Sequence, residues 1–276
     1  MDTRKSYNQV RELVERGDLE IDLVLASSRS CSTVICQALS TIADYDTYFH
    51  EPLRISSKAT LNDDVTIDGQ SARSYDPYQH MLSQFQELSK AEAPVRFLVK
   101  EMVAGEEYEE CPDFPEQYRN ALDELRELAR NSLLVTRHPI ERLKSLNHTP
   151  ESDCVNSDIR LIFRENSEIS DLKQRNGITF IDVSETSQLY EDPIQFFDNL
   201  VSDIGRQRLP NQSIESFDNS VIISDLVILD SWAKESFEKH KGFSLKPSED
   251  IGHIMCVESE ELAEAIESYY TDIHLN

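Results

Sequence analysis

Residues Ile21 to Ala26 form an apolar run of strand character that breaks into Ser27-Ser28-Arg29-Ser30-Cys31-Ser32-Thr33 and passes directly into a helical pattern, Val34 to Ile42. A strand joined to a helix by so short a polar loop is the opening unit of an α/β fold. It also builds an anion site. The backbone N–H groups of Ser30 to Thr33 converge at a helix N-terminus, where unsatisfied donors and the positive end of the helix dipole favour a multiply charged ligand. The hydroxyls of Ser30, Ser32 and Thr33 add donors, and Arg29 adds a fixed charge suited to phosphate or sulfate oxygens. No Gly-Lys-Ser/Thr triplet occurs in the chain, so ordinary ATP or GTP hydrolysis loses its main support.

Beyond this unit, strand and helix patterns alternate, which predicts a mostly parallel sheet covered on both faces. Strands are expected near 21–26, 95–100, 132–136 and 178–183. Helices are expected near 4–16, 33–43, 77–91, 116–130, 139–147, 155–174, 193–204, 224–240 and 259–273. Residues 52–75 lack a clear period and read as a loop or lid, and 206–220 read as a second flexible stretch that reaches over the ligand. The 276 residues fit one domain, with an N-terminal helix at 1–18, a lid at 52–93 and a C-terminal helical part at 206–276.

Arg29-Ser30-Cys31-Ser32-Thr33 resembles the Arg-Ser-Gly-Ser-Thr loop of sulfotransferases that binds the 5′-phosphosulfate of PAPS, 3′-phosphoadenosine 5′-phosphosulfate. His50-Glu51-Pro52 falls where many of them carry Glu-Pro. Ser132 to Pro139, with Arg137 and then Ser145, is similar to the strand-Arg-x-Pro-helix-Ser element that holds the 3′-phosphate. Val95 to Met102 resembles the middle strand that carries Lys100, and Phe180 to Ser184 with Asp192-Pro193 matches the late strand and its helix more loosely. Taken singly, a Ser-rich turn more often caps a helix than holds an anion, and an Arg ahead of Pro as often sits on a surface. Their order along roughly residues 20 to 205, each at the C-terminal end of a predicted strand, sets the resemblance apart. It implies a three-layer α/β fold of the P-loop nucleoside-triphosphate-hydrolase-like, sulfotransferase type.

The resemblance also implies roles. PAPS is the expected cosubstrate, with no metal, and it is bound by Arg29, Ser30, Cys31, Ser32, Thr33, Arg137 and Ser145. Glu51 is the expected base, with His50 in reserve, and Lys100 with Arg29 stabilises the leaving group. In the cytosolic branch of the family the base is a His two residues past the strand Lys. Met102 stands there and cannot take a proton. Cys31 replaces the family's Gly, so a positive φ at that place would strain it by about 1 kcal/mol or more. Two readings stay open: transfer to a hydroxyl or amine of a small-molecule or protein acceptor, or a degenerate fold that binds a nucleotide or protein partner without transfer.

A net charge of −25 and a pI of about 4.6 exclude nucleic acid and anionic membranes as main partners. They also require Arg29, Lys100 and Arg137 to reverse the potential locally for an anionic nucleotide. The five cysteines are odd in number and scattered without metal-ligand spacing, which fits a reducing compartment. With no apolar signal segment and no run of membrane-spanning length, the expectation is a cytoplasmic protein, with signal-less secretion equally compatible. The acceptor and the oligomeric state are open at this level.

Overall fold

The computed structural model describes residues 3–61, 66–67, 70–71, 75–89, 94–103, 114–137, 142, 155–174, 180–183 and 193–209. In chain order the elements are α1 (Thr3–Glu15), β1 (Leu19–Ala26), α2 (Ser32–Ile42), β2 (Thr47–His50), α3 (Pro52–Leu61), β3 (Thr66–Ile67), β4 (Gln70–Ser71), α4 (Pro77–Leu88), β5 (Val95–Met102), α5 (Phe114–Leu128), β6 (Asn131–Val135), α6 (Val155–Gln174), β7 (Ile181–Val183) and α7 (Pro193–Asp203). Five strands make one parallel sheet in the order β2-β5-β1-β6-β7, and β3 and β4 form a small antiparallel pair. From β1 the chain moves out to β2 and back through β5, then crosses to β6 on the other side. The connections therefore diverge between β1 and β6, where open α/β sheets bind their ligands.

The period of two along each strand divides the core. Leu19, Ile21, Leu23 and Leu25 of β1, with Phe97 and Val99 of β5 and Leu134 of β6, pack under α1, α3, α4 and α5. Val24 and Ala26, with Leu98, Met102, Leu133 and Val135, pack under α2 and α7 on the opposite face. Strands buried on both faces read as near-continuous apolar runs, which is why the sequence announced β1, β5 and β6. The same alternation sends Lys100 to the α2 face and its neighbour Glu101 to the α3 and α5 face, both buried.

Several expectations need correction. Residues 52–75 are not one loop, since Pro52–Leu61 is helical and a two-strand pair follows. The first turn of α3 is capped from another strand: the Leu53 N–H donates to the Glu101 carboxylate, a device with no local signature. The second predicted strand, 95–100, runs on to Met102, because the Val103 N–H still donates to the Ala26 carbonyl, so Lys100 is inside β5 and not at its end. The late strand is shorter than 178–183 and begins at Ile181.

Residues Arg206–Leu209, read as part of a stretch over the ligand, lie at the C-terminal end of α2 instead. Leu209 N–H donates to the Ile42 carbonyl, and Arg206 Nε donates to buried Asp22 at 2.6 Å. Arg142 is helical, but the rest of 139–147, all of 210–276 and Ser145 lie outside the described residues.

Candidate functional site

Ser27 to Cys31 leave the end of β1 for the N-terminus of α2. Arg29 has φ 60° and Cys31 φ 65°, ψ 10°, both in the left-handed region that an L-residue other than glycine enters at a cost of about 1–3 kcal/mol. Cys31 is the N-cap of α2, yet its side chain makes no capping hydrogen bond to the helix. A Ser or Thr cap on this helix is thereby displaced. Ser30 Oγ donates back to the Ser27 carbonyl at 2.7 Å, bracing the loop, and Ser30 and Ser32 are buried while Thr33 is half-buried in the first turn. Arg137, just past β6 and 8% exposed, brings Nη1 to 3.9 Å from Cys31 Sγ. Among the described residues, the buried hydroxyls of Ser27 and Thr136, at the ends of β1 and β6, have no hydrogen-bond partner. Native proteins seldom leave such groups orphaned unless a ligand or water meets them.

The second half of the site stands where β2 and β5 pair, His50 opposite Lys100. Glu51 turns out of β2 with φ 51°, its N–H held by the Lys100 carbonyl at 2.7 Å. Its Oε1 accepts from Lys100 Nζ at 2.5 Å and its Oε2 from Arg54 Nη1 at 2.9 Å. Burial alone would raise the Glu51 carboxyl, but Lys100, backed by Arg54 and His50, holds it well below the usual carboxylate range. His50 Nε2 lies 3.4 Å from Glu51 Oε1, and Nδ1 is 2.7 Å from the Tyr48 hydroxyl. Burial, reinforced by the Lys100 charge, drives this imidazole down to about 3, so it is neutral at physiological pH. Lys100 Nζ also reaches Met102 Sδ at 3.7 Å.

Nine sequence-predicted residues, Arg29, Ser30, Cys31, Ser32, Thr33, Arg137, Lys100, Glu51 and His50, thus lie at the C-terminal side of the sheet. Four others were missed. Arg54 sits one helical turn after Glu51, a spacing that could have flagged it. Glu101, Arg142 and Glu165 gave no usable signal. Glu101 looks like an ordinary strand charge, whereas it is fully buried, its carboxyl pushed up to about 8 by desolvation and by neighbouring Glu51, against the Leu53 N–H. Glu165 lies in a polar-looking stretch of α6 but is fully buried against the loop after β1, with Arg142 beside it. Among the described residues no group of His, Cys, Asp and Glu is arranged to hold a metal ion, and no helix is long and apolar enough to cross a membrane.

No protein-family model matches the chain, and no curated protein does. Solved structures do. The sulfotransferase domain from the curacin biosynthetic pathway is 15% identical over 86% of this chain and 96% of that one, with a TM-score of 0.46. The sulfotransferase domain of the Synechococcus PCC 7002 olefin synthase is 13% identical over 68% and 74%, TM-score 0.42. Mouse sulfotransferase SULT7A1, complexed with PAP, is 12% identical over 98% and 90%, TM-score 0.39. The chain is similar to these three, and the reading of its site rests on its own residues.

Proposed function

We propose that the chain is a sulfotransferase that uses PAPS and passes its sulfuryl group to a hydroxyl or amine of a small-molecule or protein acceptor. The observation that carries this reading is the loop after β1: two non-glycine residues held left-handed around the N-terminus of α2, Arg137 against it, and the orphaned hydroxyls of Ser27 and Thr136 at its foot. An anion with several oxygens satisfies all of these groups at once. PAPS supplies the sulfuryl group and a nucleotide leaving group. Ser30 to Thr33 hold its 5′ end and Arg137, with Ser145, its 3′-phosphate.

Glu51 takes the proton of the attacking acceptor, and Lys100 with Arg29 meets the negative charge that grows on the departing phosphate oxygen. Glu51 becomes a competent base only when Lys100 turns from it toward that charge, since the pairing otherwise depresses its proton affinity. Cys31 and Cys36, the two cysteines among the described residues, carry thiols outside any disulfide, which suits a reducing cytoplasm.

One observation favours a second reading, a fold that binds a nucleotide or protein partner without transfer: both Glu51 oxygens are already claimed by cations. Thermal melts with adenosine 3′,5′-bisphosphate, AMP and ATP test the nucleotide site. At ~100 times its dissociation constant the bisphosphate stabilises by about 2.7 kcal/mol, or roughly 5–10 °C, and exceeds the other two. Equal shifts or none overturn the site. A bisphosphate shift without release of bisphosphate from PAPS, over a panel of hydroxyl and amine acceptors, selects the second reading.

A further inference from the structure

We infer that Arg142 and Glu165 are positioning residues that hold the loop after β1 in its ligand-binding shape. The inference rests on the reading of that loop as a nucleotide site. Every polar atom of Ser28 is engaged from outside the loop. Its N–H donates to Glu165 Oε1 at 2.8 Å, its hydroxyl donates to the same oxygen, and its carbonyl accepts from Arg142 Nε at 2.8 Å. Arg142 Nη2 closes the ring on Glu165 Oε2, and Nη1 reaches Asn166 Oδ1 at 3.3 Å. Both ionic side chains are essentially inaccessible to water.

A loop whose next residues, Arg29 and Cys31, sit left-handed without glycine is not shaped by its own sequence, so its surroundings must over-determine it. Ser28, fixed at three atoms, is where they do so. The pair adds no net charge, and the Ser28 N–H is turned into it and away from any anion. What the pair supplies is geometry. The guanidinium fork is essential because it serves the Ser28 carbonyl and the Glu165 carboxylate together.

Arg142→Lys keeps the charge and loses the fork. It is compared with the natural protein by deuterium uptake of peptides covering residues 27–34 without ligand, by calorimetry with adenosine 3′,5′-bisphosphate and with AMP, and by thermal midpoint. The expected result is faster exchange in the loop and a loss of roughly tenfold or more in affinity, equal for both nucleotides because they share the 5′-phosphate. A merely structural pair would lower the midpoint and leave the affinity of the folded protein unchanged, which overturns the inference. Glu165→Gln is the second variant should the first fail to fold. It also weakens both nucleotides if the pair positions the loop. Tighter binding, from the uncovered Arg142 charge, would show an electrostatic role and overturn the inference. Should the natural protein bind neither nucleotide, the proposed function falls, and loop exchange alone decides the clamp: uptake unchanged in both variants overturns it.

Discussion

Lys100 and Glu51 are joined twice, Nζ to Oε1 at 2.5 Å through the side chains and the Glu51 N–H to the Lys100 carbonyl at 2.7 Å through the main chain. Both side chains are buried. The double link holds Glu51 in its left-handed turn at the sheet edge, immediately before Pro52 opens α3. A buried pair of this kind is costly to break from one side, since the survivor is left as an uncompensated charge. It is also a store of basicity, withheld while the lysine stays.

Glu51→Gln removes the charge and keeps the shape. The expected loss of stability is about 3–5 kcal/mol, the range for stranding one member of a buried pair, measured by urea unfolding. The bisphosphate-induced thermal shift is expected to persist while transfer to any acceptor found is lost by roughly 10²-fold or more. An active Glu51→Gln protein would reassign the base.

The pH dependence of stability has two limbs. His50 is held neutral, its value lowered from 6.5 to about 3, so the unfolded chain binds the extra proton and stability is lost as pH falls below 6.5. Glu101 is shifted the other way. The Tyr118 hydroxyl lies 2.9 Å from both Glu101 Oε2 and the Met102 carbonyl, and its single proton serves the carbonyl only when Glu101 carries one of its own. With its value raised from 4.5 to about 8, the stability Glu101 contributes is complete below 4.5 and is lost as pH rises to 8. Thermal midpoints between pH 6.5 and 8 should therefore decline in the natural protein and stay nearly level in Glu101→Gln. An undiminished decline in the variant would assign the alkaline limb to another group.

The parts of the site legible in sequence are those built locally. The strand-loop-helix around Ser27 to Thr33 could be read because its parts are contiguous, and the glycine-like demand at Cys31 followed from its place in that unit. The α/β sheet was legible because doubly buried strands show as apolar runs. Helix α3 was not, because what starts it is Glu101 of β5, reaching across from another element. Glu165 was not, because on a helix a buried acid and a solvated one look alike until the loop it grips is folded beside it. Lys100 was assigned to a strand end, when the ladder to Ala26 carries the strand two residues further.

Arg137 lies against the loop, its Nη1 3.9 Å from Cys31 Sγ, and the proposed function gives it the 3′-phosphate. Arg137→Ala is expected to weaken adenosine 3′,5′-bisphosphate by about 1.5–3 kcal/mol, the worth of charge-assisted hydrogen bonds, and to leave AMP nearly unchanged. Calorimetry with the two nucleotides measures the difference. Equal losses would place Arg137 on the 5′ side, with Cys31.

Cys31 tests whether the left-handed loop is a liability or a requirement. At φ 65° a side chain with a Cβ is strained, so Cys31→Gly relieves that strain while giving up the thiol's contact with Arg137 and raising the entropy of the unfolded chain. The two effects are each about 1 kcal/mol and oppose one another, so stability is expected to change by less than that. The nucleotide affinity of Cys31→Gly is expected to be kept or improved, since the backbone already has the conformation glycine prefers. Cys31→Val places a β-branched residue where that class is a genuine outlier, and is expected to lose both stability and bisphosphate binding. Thermal melts and calorimetry on the two variants separate the cases. Should glycine destabilise the protein and abolish binding while valine is tolerated, the thiol and not the backbone shape would be what this position supplies.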